Sequence, residues 1–400
     1  MNETTFSKPE LETLHRSMAS YVERGERPGI VTLLSRRGET HVDAIGAQGF
    51  GSERPMQRDT LFRIASITKP VVAAAALTLV DEGRLRLDEP IDRLLPELAN
   101  RRVLRRVDGP LDDTVPAKRP IWVRDLLTMT MGMGAVMTPG PTPIMDALMK
   151  QGIFTPFRMP TQASADEWIA RLAELPLMDQ PGEVWRYDTS MILLGALIER
   201  ASQCSLNDAL RERLFEPLGL KDTGFVVPAD QLHRLPVAYQ LNPTSGALDV
   251  WDPSGPESFF AKTPGFAGAH GGLVSTADDY LAFVGLLLDG GRARGRQIIS
   301  EQLVREMMSD QIAPDVKARS AFVPGFWEQR GWGYGLSIIK QDLPGEPRGC
   351  GWDGGYGTCA YWDRRSGVVA ILLSQRLVDG PFYQPIHHDF FRSSYAAAGL

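Results

Sequence analysis

The stretch Phe62-Arg-Ile-Ala-Ser-Ile-Thr-Lys-Pro-Val-Val-Ala-Ala-Ala-Ala76 is the most informative segment of the chain. Ser66 and Lys69 are three residues apart, and positions i and i+3 share one face of a helix. Pro70 suits the first turn of a helix, and Gly83, after the alanine-rich run, is typical of a helix C-cap. We therefore predict a helix with Ser66 at its N-terminus, where the helix dipole favours developing negative charge.

Ser66 and Lys69 are a candidate nucleophile and its activating group. A serine hydroxyl is a poor nucleophile at neutral pH unless a base is adjacent. A lysine whose ammonium form is disfavoured by burial can be that base or can stabilise the alkoxide as it forms. The Ser-x-x-Lys pattern is weak by itself, since roughly one chance occurrence is expected in a chain of this length. A second copy, Ser337-Ile-Ile-Lys340, lies in a strand-like segment, where a period of two places its serine and lysine on opposite faces. Only the first copy has the required geometry.

The composition limits the classes of partner. The chain has 400 residues, 43% hydrophobic and 23% charged, which indicates a globular protein of one large domain or two intertwined ones. A net charge of −6 argues against nucleic acid or an anionic membrane as the main partner. No apolar run approaches the roughly 18 residues of a membrane span. The N-terminal segment lacks a signal-peptide pattern, so we expect a cytoplasmic protein; its oligomeric state stays open.

Strand patterns lie near both ends of the chain and helical patterns between them. The predicted strands are 28–36, 40–47, 333–339, 357–362 and 368–373. The predicted helices include 9–24, 123–130, 191–202, 275–288, 300–310 and 385–397. Strands from both ends must then form one antiparallel sheet. We predict an α+β fold with a discontinuous sheet domain, 1–65 and 268–400, and an inserted, mainly helical domain, 66–267, with the active site in the cleft between them.

Several segments occur in the order found in one known superfamily. They are Phe62–Lys69, Leu85–Leu98, Val123-Arg-Asp-Leu-Leu-Thr-Met-Thr-Met-Gly132, Pro181-Gly-Glu-Val-Trp-Arg-Tyr187 and Gly272–Tyr280. With this set the chain resembles the serine β-lactamase and penicillin-recognising superfamily. Within that superfamily it is most similar to class C β-lactamases, D-alanyl-D-alanine carboxypeptidases and, closest of all, family VIII carboxylesterases. The resemblance implies a β-lactamase/DD-peptidase-like fold.

The resemblance also implies roles for individual residues. Ser66 would be the nucleophile, Lys69 its activating partner and Tyr187 the general base and acid. Backbone N–H groups of Ser66 and Gly355 would form the oxyanion hole, and no metal or cofactor would be needed. A tyrosine suits this task if the adjacent Lys69 ammonium pulls its phenol pKa down toward neutrality, and we expect that here.

Two motifs depart from the superfamily pattern. Its Tyr-x-Asn appears as Tyr187-Asp188-Thr189, so a side-chain amide that grips a substrate amide is missing. Its Lys-Thr-Gly or His-Thr-Gly appears as Trp352-Asp353-Gly354. The tryptophan at this position resembles the motif of family VIII carboxylesterases. Tryptophan offers no charge to a substrate carboxylate, and an aspartate would repel one. The candidate substrate-binding residues are Thr189, His270, Trp352, Asp353 and Gly354.

Other chemistry-bearing residues have ordinary interpretations that compete with functional ones. His270 is more typical of a structural histidine than of a catalytic one. His387-His388-Asp389 is a poor metal motif, because adjacent residues point to different faces of a helix. Cys350 and Cys359 could face each other across a strand pair, although a reducing compartment would leave both as thiols. A methionine-rich segment, Met129 to Met159, favours adaptable core packing or, with Phe154 and Phe157, an apolar pocket wall.

The sequence thus predicts a serine hydrolase that cleaves carboxylic esters of small molecules through an acyl-enzyme on Ser66. Three alternatives stay open. One is a β-lactamase or D-alanyl-D-alanine peptidase-type amidohydrolase, which needs a carboxylate-binding cation from elsewhere. Another is an acyltransferase of the same superfamily. The third, of a different class, is an inactive binding or sensor protein, motivated by the substitutions at Met129, Thr189 and Trp352.

Overall fold

The computed structural model describes residues 5–137, 140, 142–154, 163–380 and 384–400. Its helices are α1 (Lys8–Glu23), α2 (Thr68–Asp81), α3 (Val123–Leu127), α4 (Pro143–Lys150), α5 (Ala165–Ala173), α6 (Thr189–Ser202), α7 (Leu206–Leu210), α8 (Glu216–Leu218), α9 (Ala277–Leu288), α10 (Glu301–Met307), α11 (Pro314–Arg319), α12 (Phe326–Gln329) and α13 (Pro385–Ala397). Its strands are β1 (Gly29–Arg36), β2 (Glu39–Gly46), β3 (Phe62–Arg63), β4 (Arg102–Leu104), β5 (Thr114–Pro116), β6 (Ala238–Leu241), β7 (Leu248–Asp252), β8 (Val274–Ser275), β9 (Arg292–Ala293), β10 (Arg296–Gln297), β11 (Arg330–Trp332), β12 (Ser337–Ile339), β13 (Cys350–Gly354), β14 (Thr358–Asp363) and β15 (Val368–Ser374).

The two ends of the chain form one antiparallel sheet, as predicted. In the part of the chain that the structure describes, its order is β11-β12-β13-β14-β15-β1-β2. The ends meet where β1 pairs with β15 and Leu33 lies opposite Ile371. Strand β15 reads Val-Val-Ala-Ile-Leu-Leu-Ser and is buried along its whole length. A run that is apolar at consecutive positions is expected where helices cover both faces of a sheet.

Helices do cover both faces. On one face α1 and α13 pack together, and their residues Leu14 and Phe390 share a core cluster with Leu372 of the sheet. On the other face Ile371 and Leu373 join a larger cluster that includes α2 and α9. The alternation of Ile371, Leu372 and Leu373 between two cores follows from the period-two geometry of a strand.

The helical region lies between β3 and β8, which pair with each other. Phe62 lies opposite Ser275 and Arg63 opposite Val274, so the chain enters and leaves this region at one place. Helices α2 and α6 are buried on nearly all sides and pack within the larger core. This arrangement agrees with an inserted helical domain, and the boundaries at 65/66 and 267/268 stay predictions. No helix within the described ranges is long and apolar enough to cross a membrane.

Three local predictions are wrong. The segment 333–339 is not one strand, because the chain turns through Gly335 at φ +73° before β12 begins at Ser337. Strand β13 was not among the predicted strands. Cys350 and Cys359 do not face each other, because Cys350 lies opposite Trp362 and Cys359 opposite Asp353. The two buried thiols belong to different core clusters on opposite faces of the sheet.

Candidate active site

Ser66 lies in a tight turn that leads directly into α2. The turn is a 3₁₀ segment, Ala65–Ile67, and the helix begins at Thr68, two residues later than predicted. Ala65 adopts φ +47°, in the left-handed region that L-residues other than Asn and Asp seldom occupy. The turn leaves Ser66 partly exposed, whereas Lys69, one turn along the chain, is fully buried. The Lys69 ammonium donates to Ser66 Oγ over 2.8 Å.

Lys69 is enclosed by three acceptors. Besides Ser66 Oγ, its Nζ donates to the backbone carbonyl of His270 at 2.5 Å and pairs with Asp188 Oδ1 at 2.8 Å. An ammonium group has three N–H donors, so this set uses all of them. The side chain is therefore fixed in direction, with one donor aimed at the Ser66 hydroxyl.

The neighbours of Lys69 decide between the two roles that the sequence left open for it. Burial by itself would lower the pKa of Lys69, but the Asp188 carboxylate and the Tyr187 phenol outweigh burial and raise that pKa above its usual value. The pKa of Asp188 is correspondingly lowered, because the Lys69 ammonium outweighs the effect of burial. Lys69 is thus an ammonium ion at neutral pH and not the free amine that a burial argument suggests.

Tyr187 lies against Lys69 and Trp352. The Lys69 Nζ is 4.6 Å from the centre of the Tyr187 ring, and the Trp352 indole N–H donates to Tyr187 Oη over 2.6 Å. Burial raises the pKa of Tyr187; the Lys69 ammonium opposes this and Asp188 reinforces it. The expected lowering of the Tyr187 pKa toward neutrality is therefore wrong for the resting site, because burial, with a smaller contribution from Asp188, outweighs the Lys69 ammonium.

Strand β13 approaches the Ser66 turn closely at Gly354. A β-carbon on Gly354 would lie 2.5 Å from the Ile64 carbonyl oxygen and also meet Thr358 Oγ1. That hydroxyl donates to the Ile64 carbonyl over 2.9 Å, which ties β14 to the same turn. Gly355 follows directly, and with Ser66 it lines the cavity described below. The oxyanion-hole role of their backbone N–H groups stays a prediction.

The remaining candidate residues separate into three environments. His270 lines the cavity with its Nε2 3.9 Å from Asp188 Oδ2, and burial lowers its pKa, which keeps the imidazole neutral at pH 7. Asp353 also lines the cavity, where its Oδ2 accepts from the Tyr361 hydroxyl over 2.9 Å. Thr189 is fully buried as the first residue of α6 and does not line the cavity. Thr189 is thus the one candidate that the fold does not bring to the site.

A cavity of about 680 Å³ opens above Ser66. Its walls include Met137, Phe154, Phe322, Phe326 and Trp352, so most of the lining next to Ser66 is aromatic or apolar. Of the methionine-rich segment, Met129, Met131 and Met133 are core residues, whereas Met137 reaches the cavity. Met159 and Phe157 lie outside the described residues.

Asp188 is the site residue that the sequence analysis missed. It sits at φ +90° and ψ −65° between Tyr187 and α6 and contacts both Lys69 and His270. The sequence did contain a signal for Asp188, namely an acidic residue directly after the candidate tyrosine. A residue at that position lies near any lysine that contacts the tyrosine. His387 and His388 both line the cavity, whereas Asp389 accepts from the Tyr21 hydroxyl. His387 accepts from the Gln384 N–H in its own helix cap, and His388 contacts the Gly345 carbonyl.

Comparisons with known proteins agree with this fold. The family model described as Beta-lactamase matches residues 14–387. Protein Rv1367c of Mycobacterium tuberculosis is 38% identical over 372 residues, covering 91% of this chain and 89% of that protein. Esterase EstB of Burkholderia gladioli is 32% identical over 372 residues, covering 88% of this chain and 87% of that protein.

A solved structure, "EstCE1, a hydrolase with promiscuous acyltransferase activity", matches with a TM-score of 0.78 at 21% identity and covers 98% of both chains. At this identity the structural match shows the fold. The superfamily resemblance and the predicted fold class are confirmed, together with the presence of esterases among the relatives. The chain belongs to the Beta-lactamase family.

Proposed function

We propose that this protein is a serine esterase that hydrolyses small carboxylic esters through an acyl-enzyme on Ser66. The observation that carries the proposal is the 2.8 Å hydrogen bond from Lys69 Nζ to Ser66 Oγ at the base of a largely apolar cavity. Tyr187 lies beside this pair, as a second group able to exchange a proton. The name of EstB, a relative at 32% identity, supports the same activity.

Acylation and deacylation use the same residues. Ser66 Oγ attacks the ester carbonyl carbon while its proton passes to the Tyr187 phenolate, and backbone N–H groups of Ser66 and Gly355 hold the oxyanion. As the tetrahedral intermediate collapses, the ester C–O bond breaks and Tyr187 returns the proton to the departing alkoxide oxygen. Water then attacks the Ser66 ester with Tyr187 as the base, and the acid leaves as Ser66 recovers its proton.

The charges around the cavity favour neutral esters over anionic substrates. Lys69 is paired with Asp188, and the Arg330 guanidinium lies 3.7 Å from Glu346 and 3.8 Å from Asp353. The carboxylates among the described lining residues are Asp188, Glu346, Asp353 and Asp379. Since each of these cations already has a carboxylate beside it, a substrate carboxylate such as that of a β-lactam meets repulsion at the site.

The test compares a short-chain p-nitrophenyl ester with a chromogenic cephalosporin, using wild type and Ser66→Ala in parallel. We expect ester turnover that is lost in Ser66→Ala, with little cephalosporin turnover in either protein. Efficient cephalosporin hydrolysis by the wild type would contradict the charge argument and support the amidohydrolase alternative. Absence of Ser66-dependent turnover of either substrate would contradict the esterase proposal.

A further inference from the structure

Asp188 has an unfavourable backbone conformation for a residue with a side chain. Its φ of +90° and ψ of −65° lie outside the regions that L-residues populate, and glycine would occupy this position at lower free energy. Residues kept in such conformations cluster at functional sites, where the surrounding structure holds them in place. The unusual backbone conformation of Asp188 therefore indicates a function for its carboxylate.

The carboxylate lies between the two polar groups beneath Ser66. Its Oδ1 is 2.8 Å from Lys69 Nζ and its Oδ2 is 3.9 Å from His270 Nε2. The titratable groups that face it are Lys69 from α2, His270 from the loop before β8 and its own neighbour Tyr187. His270 holds the same lysine from the other side, through its backbone carbonyl. Asp188 and His270 together leave Lys69 one direction in which to donate, toward Ser66.

We propose that Asp188 is a positioning residue that keeps Lys69 an ammonium ion, aimed at Ser66, throughout the acylation step. The inference rests on the proposed function, in which Ser66 is the nucleophile. Lys69 then retains its three protons while the Ser66 Oγ–carbon bond forms, the carbonyl electrons move to oxygen and the Ser66 proton passes to the Tyr187 phenolate. Lys69 acts by its charge and its hydrogen bond, and Tyr187 carries the proton.

This arrangement has a consequence for pH dependence. Burial raises the pKa of Tyr187, and the Lys69 ammonium, which Asp188 keeps protonated, opposes that rise by stabilising the phenolate. The active phenolate form therefore becomes populated only as the pH rises, and the acylation rate climbs with pH on its acidic limb. Removing the Asp188 charge takes away the main group that offsets the burial of Lys69, so Lys69 loses its proton more easily. The Tyr187 phenolate then loses its neighbouring cation, and the acidic limb moves to higher pH.

The experiment measures the rate at which a fluorophosphonate probe labels Ser66 between about pH 6 and about pH 10. Wild type, Asp188→Asn and Asp188→Gly are compared. Asn keeps the backbone strain and an acceptor for Lys69 but removes the charge, whereas Gly also relieves the strain. We expect both variants to shift the acidic limb to higher pH by about one unit, and we expect Gly to lower the plateau rate further, because Lys69 also loses an acceptor that fixes its direction.

The outcomes separate this inference from the proposed function. Ser66→Ala must abolish labelling; residual labelling of that variant would contradict the proposed function itself. A folded Asp188→Asn variant, checked by its thermal unfolding, whose labelling rate falls equally at all pH values with an unmoved limb would give Asp188 a merely structural role and overturn the inference. A shift of the limb to lower pH would also overturn it, because it would show that Lys69 keeps its charge without Asp188.

Discussion

At the scale of single residues, the superfamily resemblance selected a coherent set of side chains. Ser66, Tyr187 and Trp352 line one cavity and Lys69 lies in contact with Ser66 and Tyr187, although these residues come from three separate parts of the chain. The positions of the superfamily motifs identified these residues, because the motifs reflect spatial constraints that a single sequence does not display.

At residues 188 and 189 the motif position predicted the wrong side chain for the site. Thr189 is a candidate substrate-binding residue because it stands where the superfamily motif has an amide. However, α6 begins at that residue, and its side chain is buried in the core. The preceding Asp188 takes the place beside Lys69 instead. Which of two adjacent side chains enters a site depends on backbone dihedral angles, here a φ of +90°, and composition and spacing do not reveal these.

The indole N–H of Trp352 is predicted to stabilise the Tyr187 phenolate. Trp352→Phe removes a donor 2.6 Å from Tyr187 Oη, and a hydrogen bond to a charged group is worth about 1.5–3 kcal/mol, so we expect kcat/KM for a p-nitrophenyl ester to fall by about 10- to 100-fold. Trp332→Phe is the matched control. Trp332 packs against Trp352 at 4.7 Å between ring centres, and its own Nε1 has no hydrogen-bond partner among the described residues.

Both variants lose similar aromatic volume from one cluster, so both are expected to lose some stability. Only Trp352→Phe should lose most of its turnover at saturating substrate while remaining folded. Equal kinetic losses in the two variants would show that packing, and not the N–H donor, is what Trp352 contributes.

At the scale of elements, the helices and the long buried strands were predictable and the glycine-rich strand was not. Predicted helices at 9–24, 191–202 and 385–397 correspond to α1, α6 and α13 within two residues. Strand β13 contains Gly351 and Gly354, which have no side chains to produce a period-two pattern. Yet this strand reaches the Ser66 turn, because Gly354 allows the backbones to approach.

Gly354→Ala is expected to push β13 away from the Ser66 turn. The added methyl would meet the Ile64 carbonyl oxygen and Thr358 Oγ1, which are joined to each other by a hydrogen bond. Overpacking of this kind costs about 1–3 kcal/mol of unfolding free energy, and misplacing the Gly355 N–H should lower kcat by about 100-fold. Urea unfolding and ester kinetics measure the two effects.

Gly285→Ala provides the control for the same substitution. Gly285 lies in α9 with nothing within 4 Å of an added β-carbon, so alanine should raise the unfolding free energy by about 0.5–1 kcal/mol and leave kcat unchanged. Wild-type kinetics in Gly354→Ala would contradict the assignment of β13 as the support of the oxyanion hole.

At the scale of the whole molecule, a buried arginine connects distant parts of the chain next to the site. Arg63 in β3 pairs with Asp252 of β7 at 2.5 Å, with both side chains fully buried, and donates to the Pro236 carbonyl and to Gln375 Oε1, each at 2.7 Å. These partners come from the inserted region and from the end of β15. The sequence offered no sign of this cluster, since it depends on contacts between residues about 190 and 310 positions apart.

Arg63→Met is therefore expected to destabilise the protein strongly. It leaves the Asp252 carboxylate buried without its cation, and breaking a buried pair in this way costs about 3–5 kcal/mol. Arg58→Met is the comparison, because Arg58 pairs with Asp278 at the surface, with 57% and 45% of their side chains exposed, and such pairs contribute about 0–1 kcal/mol. Similar unfolding free energies for the two variants would contradict this account.

The most direct test of the central claim is the mass of the enzyme quenched during turnover of a short-chain p-nitrophenyl ester, followed by peptide mapping. The account predicts that wild-type protein carries one acyl group on the peptide that contains Ser66 and that Ser66→Ala carries none and turns over no ester. An acyl group on another residue, or undiminished turnover by Ser66→Ala, would contradict it.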